Sequence, residues 1–113
     1  MKIMKNIEAI TPIKIGEVVR SKSGAITSKA ICAIDNTDIR FFSYSKDESI
    51  SKESQKEDSM IYLIEGRINI LYDEDGEKKE KELKGGEFIV LPGDLNYGMY
   101  ALEDSKSLNI LVK

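Results

Sequence analysis

Apolar residues recur along this chain in short runs of period two, punctuated by turn residues, and no stretch holds the longer period of a helix. Residues 17–21 form a first short strand candidate after Gly16, and Ser23-Gly24 marks a turn. Residues 27–33 and 38–44 follow as strands, with Asp35-Asn36-Thr37-Asp38 between them as a hairpin turn. Residues 45–58 are polar except for Ile50, which predicts a solvated loop with a strand edge. Residues 60–64 are apolar at every position and predict a strand covered on both faces. In a single-layered barrel an N-terminal strand or a partner subunit would have to supply the outer cover.

Gly66 breaks that run, and residues 67–72 alternate as a half-buried strand does. Asp75-Gly76 is a type I′ hairpin signal. The charged strand over residues 77–83 suits an exposed edge. After Gly85-Gly86, residues 88–91 read as a second buried strand, ended by Pro92-Gly93-Asp94. Residues 98–102 and 108–112 complete the set. Roughly nine short strands at regular spacing predict an all-β sandwich or barrel. Residues 7–10 begin a short helix or an arm that Pro12 limits. The expected organisation is therefore an arm over residues 1–15 and one barrel domain over residues 16–113.

Composition narrows the function. The 113 residues carry a net charge of −3, and the densest charge run, residues 77–82, alternates in sign. A phosphate backbone needs a net positive surface, so no nucleic-acid partner is expected, and no membrane partner either. A single cysteine, Cys32, forbids an intrachain disulfide and reads as a small buried hydrophobe. No signal-peptide stretch follows the N-terminus, so a cytoplasmic location is expected. Histidine is absent altogether. That removes the commonest general base near neutral pH and the commonest nitrogen ligand for transition metals.

Two segments carry the spacing of known motifs. In the second, Gly86 is followed after five residues by Pro92, with Gly93, then Asp94, and Tyr97 three residues beyond Asp94. In the first, counting back from Gly66 over six residues gives Ser59, then Gln55, Glu53 and Asp47. This spacing resembles the two motifs of the small single-domain cupins, the cupin 2 conserved barrel family. The resemblance implies a cupin-type β-barrel, a double-stranded β-helix or jelly roll of antiparallel strands. It places Glu53, Gln55, Ser59 and Tyr97 where the family carries its metal ligands, three histidines and a glutamate. Asp47 and Asp94 stand where the family has glycine. These replacements should line the barrel interior.

The donor set of one carboxylate, one amide, one hydroxyl and one phenol is poor for a transition metal. No cofactor is expected, Glu53 is the one weak candidate ligand, and the set leaves room only for weak divalent-metal binding. Three readings stay open. The first is a barrel that binds a small organic ligand through Gln55, Ser59 and Tyr97. The second is a metal-independent sugar isomerase or epimerase with Glu53 as base and Tyr97 as acid. The third is a structural or oligomerisation barrel with no ligand. Fold alone does not choose among them, nor decide whether the chain is an enzyme. The apolar strand over residues 60–64 and the apolar arm predict a homodimer.

Overall fold

The structure is a computed structural model that describes residues 3–113; Met1 and Lys2, the start of the expected arm, lie outside the described residues. A single 3-10 turn, Ile15–Glu17, precedes nine strands. These are β1 (Ile26–Ile34), β2 (Thr37–Tyr44), β3 (Ser49–Ser54), β4 (Asp58–Glu65), β5 (Arg67–Glu74), β6 (Glu77–Lys84), β7 (Phe88–Leu91), β8 (Asn96–Ala101) and β9 (Ser105–Val112). They form two antiparallel sheets, β1-β2-β9-β4-β7 and β3-β8-β5-β6. The two inner faces enclose one core, as in a jelly-roll barrel.

Local chemistry sets the corners. Asp75 and Gly76 both take positive φ (53° and 76°), so the β5–β6 hairpin closes through the turn their sequence predicts. Gly66 and Gly86 also sit at positive φ, at the bends after β4 and before β7. Asp47 and Asp94, standing where the motifs have glycine, adopt φ of 71° and 67°. Aspartate tolerates the left-handed region better than most side chains, so the bends survive the replacement. Gly93 is needed for a different reason: a Cβ there would run into the carbonyl of Lys56.

Inward positions follow the period of two. Along β4 they are Ser59, Ile61 and Leu63, all buried. Tyr44, Leu63, Ile68, Ile70, Leu83, Met99 and Ala101 pack together as the main core. A second cluster lies outside the five-stranded sheet, where Val18 and Val19 pack with Ile31 and Phe41 against Ile39, Ile64 and Leu108.

Four strand expectations change. Residues 17–21 are not a strand: the chain makes the 3-10 turn and then bends, using Val18 and Val19 as plugs. Residues 45–58 contain β3, whose polarity reflects an edge position beside β8 rather than a lack of pairing. Residues 60–64 alternate in burial, with Met60, Tyr62 and Ile64 only half-buried. Of these three, Ile64 packs with Val18 and Val19 of the N-terminal segment. β7 is not a buried strand: Phe88 and Val90 are 62% and 60% exposed, because β7 is the edge of its sheet and none of the described residues covers its outer face. The charged edge was read correctly, since β6 ends the four-stranded sheet.

The first described residues tie to β1 at a bulge between Ala30 and Cys32. The Lys5 backbone amide donates to the Ile31 carbonyl at 2.8 Å and the Asn6 side-chain Nδ2 to the Ala30 carbonyl at 2.7 Å. A bulge leaves backbone groups outside the ladder, and this contact uses two of them.

Candidate functional site

A cavity of about 300 Å³ opens between the sheets at the end of the barrel away from the Leu63–Ala101 core. Strand register explains its walls. On one side Arg40 pairs with Asn109, Asn109 with Ile61, and Asp38 with Leu111, so these side chains share the inner face. On the other side Glu53 pairs directly with Tyr97. Phe42, Ile61, Met99 and Leu111 give the cavity an apolar floor, and Gln55 lines it just past the end of β3.

The polar groups divide into satisfied and unsatisfied ones. Arg40 is held by Asp38 through two parallel bonds, Nε to Oδ1 at 2.8 Å and Nη2 to Oδ2 at 3.2 Å. Tyr97 donates its hydroxyl proton to Ser59 Oγ at 3.2 Å. Ser107 donates to Asn109 Oδ1 at 2.7 Å, and its hydroxyl lies 2.9 Å from that of buried Tyr44. Burial pushes the Tyr44 phenol up to about 12, against the opposing pull of its Ser107 and Asn109 partners. Gln55 Oε1, in contrast, is buried and has no hydrogen-bond partner. Glu53 forms no ion pair among the described residues.

β3 is held in place from its outer face. Lys52 Nζ and Asn96 Nδ2 each reach Asp73 at 2.7 Å, a clamp from β3 to β5 across β8. The Lys52 bond, then the Asn96 bond, hold the Asp73 carboxyl below its ordinary range. Glu53 and Gln55 therefore stand on a strand fixed from behind.

Of the four positions singled out from sequence, Glu53, Gln55 and Tyr97 line the cavity. Ser59 is buried behind Tyr97 and touches the site only through that hydroxyl. Sequence reasoning missed Arg40, Asp38 and Asn109. Asp38 stands in sequence where the hairpin turn meets the strand over residues 38–44, and Arg40 is one charge within that strand. Asn109 carried a usable signal: a lone amide in the apolar run Leu108–Val112 has no reason to face inward unless something polar meets it.

Barrels whose motifs resemble these hold a metal at the positions of Glu53, Gln55, Ser59 and Tyr97. The residues here do not fit one. Among the described residues no group of three or more His, Cys, Asp or Glu side chains is placed to hold a metal ion. The Tyr97 hydroxyl is already committed to Ser59. Amide, hydroxyl and phenol donors with one carboxylate make a weak set for a transition metal.

No family model matches the chain, and no curated protein matches it. Solved structures do. A conserved protein of unknown function from Streptococcus pyogenes superposes with a TM-score of 0.93 at 24% identity, covering 100% of this chain and 96% of that one. A cupin superfamily protein from Desulfitobacterium hafniense gives 0.88 at 20% identity, covering 96% of each. A cupin 2 conserved barrel domain protein from Leptotrichia buccalis gives 0.87 at 27% identity; it covers 97% of this chain, which spans 51% of that longer one.

Proposed function

We propose that this chain, a small protein of the cupin fold, binds a small organic ligand in the barrel cavity without a tightly held catalytic metal. The observation that carries the reading is Gln55, a residue of the cavity wall whose Oε1 is closed to solvent and has no partner among the described residues. A buried acceptor left unpaired costs about 1–3 kcal/mol. A turn of the Gln55 amide toward a ligand that donates a hydrogen bond recovers that cost. The surrounding apolar floor and few polar groups are what small-molecule sites are built from.

The acid–base alternative, with Glu53 as base and Tyr97 as acid, draws support from their direct cross-strand pairing. It is the weaker reading, because the Tyr97 proton points at Ser59 rather than into the cavity. The test is a thermal-shift screen of amines, sugars, keto acids and divalent metals against the wild type, Tyr97→Phe and Gln55→Met. A saturable shift with an organic compound, lost in Gln55→Met, is the expected result. Stoichiometric iron, nickel, manganese or zinc in protein purified without added metal would overturn the metal-free part. Turnover that Glu53→Gln abolishes would favour the enzyme.

The same reading includes a homodimer and a cytoplasmic location. Phe88 and Val90 stand bare on the outer face of the five-stranded sheet, beside half-buried Met60 and Tyr62 in register with them. A bare apolar sheet face of this kind supports pairing with a second copy. Light scattering at micromolar concentration checks it, and Phe88→Glu should yield a monomer. A lone buried thiol, Cys32, suits a reducing compartment. Among the described residues no helix is long and apolar enough to cross a membrane.

A further inference from the structure

We infer that the cavity selects a small amine: an ammonium group held by Glu53 and Gln55, with an apolar body lying on Phe42, Ile61 and Leu111. The inference rests on the ligand-binding reading above and says which chemistry that ligand carries.

The argument is an inventory of what the wall still offers. Among the described residues Arg40 is the only cation on the wall, and it is held by a two-point bond to Asp38. Such a fork matches guanidinium to carboxylate, so the Arg40 charge is balanced even though only two of its five N–H donors are used. Glu53 has no cation to balance it. The three charges on the wall, Asp38, Arg40 and Glu53, leave one net negative charge. Gln55 Oε1 is a buried acceptor waiting for a donor. Tyr97 gives its proton to Ser59, which leaves its oxygen an acceptor.

Among the described residues the one wall charge left without an ion pair is therefore a carboxylate, Glu53, and Gln55 Oε1 is an acceptor without a partner. An ammonium supplies up to three donors and the missing positive charge. A carboxylate or phosphate would meet Glu53 by repulsion and leave Gln55 Oε1 unpaired. A neutral alcohol would satisfy Gln55 without the charge. Size agrees with a modest occupant, since 300 Å³ is roughly ten waters at about 30 Å³ each. The neighbouring groove adds to the field at the mouth: it shares Asp38 and carries Asp35 and Glu57 against Lys113. Together the two linings hold four carboxylates, Asp35, Asp38, Glu53 and Glu57, against two cations, Arg40 and Lys113, and a net negative field of this kind favours cations.

The test uses three matched probes that differ only in the polar group: benzylamine, benzyl alcohol and benzoate. Each is titrated into isotope-labelled protein, and shifts at cavity amides such as Gly98 and Asn109 are followed. The expected order is amine first, alcohol second and benzoate last. Glu53→Gln should weaken the amine about fivefold and leave the alcohol unchanged, the size of effect a partly exposed charge pair gives. Asp38→Asn provides an independent arm, because it frees Arg40 and should raise benzoate affinity. If benzoate or the alcohol binds as tightly as the amine to the wild type, the amine inference falls and the ligand-binding reading stands. If none of the three moves a cavity amide, both fall. Glu53 is exposed, so Glu53→Gln is expected to fold.

Discussion

At one end of the barrel Leu63, Ile68, Ile70 and Ala101 are wholly closed to solvent. At the other, the neighbouring strands β2, β9 and β3 and the residue after β3 present Arg40, Asn109, Glu53 and Gln55 to an open cavity. β4 passes from Ser59 through Ile61 to Leu63, and β8 from Tyr97 through Met99 to Ala101, so the change happens within two inward steps of one strand. The closed end spends its inner surface on apolar burial, which stabilises the fold. The open end withholds that burial and leaves a buried acceptor unpaired. Between them runs the chain Tyr44–Ser107–Asn109, which carries hydroxyl and amide groups from the core to the cavity wall. Stability and recognition are thus separated along the barrel axis, and substitutions at the two ends should behave differently.

The largest effect is expected at the closed end. Leu63→Ala removes a fully buried side chain and should cost about 2–5 kcal/mol in urea unfolding. Any cavity probe should bind its remaining folded fraction with unchanged affinity. A loss of affinity there would show that the two ends are coupled.

Tyr44 tests the junction. Its phenol is raised from 10.0 to about 12 in the folded state. A raised value favours the protonated form, so that stabilisation is complete below pH 10 and fades between pH 10 and 12. The loss should amount to about 2–3 kcal/mol, two pKa steps at about 1.4 kcal/mol each. Unfolding measured from pH 9 to 12 should show this excess loss in the wild type and not in Tyr44→Phe. Parallel curves would mean that the phenol is solvated.

Gly98→Ala strikes the back of the site. A Cβ there would run into the Ile50 carbonyl and approach the Lys52 amide at 2.9 Å, where β3 bulges against β8. Overpacking of this kind costs about 1–3 kcal/mol. Because β3 carries Glu53, ligand affinity should fall as well, which calorimetric titration would detect. Gln55→Met should show the smallest stability change and the opposite sign. It removes a buried unpaired acceptor at similar volume, so the protein should gain up to about 1 kcal/mol and lose its ligand. A destabilised Gln55→Met would mean that the amide holds the fold together rather than a ligand.

Most of the fold was legible. Strand positions followed from the period of two, and the corners from Asp75-Gly76, Gly66 and Gly86. The cavity positions of Glu53, Gln55 and Tyr97 followed from motif spacing, which fixes how far each lies from a bend. The errors share one cause. A strand written Phe88-Ile89-Val90-Leu91 has the same sequence whether a neighbour covers its outer face or not, and β7 has none. A polar stretch such as residues 49–54 reads the same as a loop or as an edge strand, and only its pairing with β8 decides.

What the sequence alone determined was local: period, turn chemistry, charge sign, and the absence of histidine, each set by a residue and its near neighbours. Tertiary structure decided everything that depends on who stands opposite. Arg40 is neutralised because Asp38 lies two residues away on the same inner face of β2. Ser59 is removed from the wall because Tyr97 reaches it from the other sheet. Gln55 is left wanting because no donor comes within reach of its Oε1. A hydrogen bond or ion pair is a property of two groups at a distance of a few ångströms, and for groups far apart along the chain that distance is set by strand register and sheet packing rather than by sequence separation.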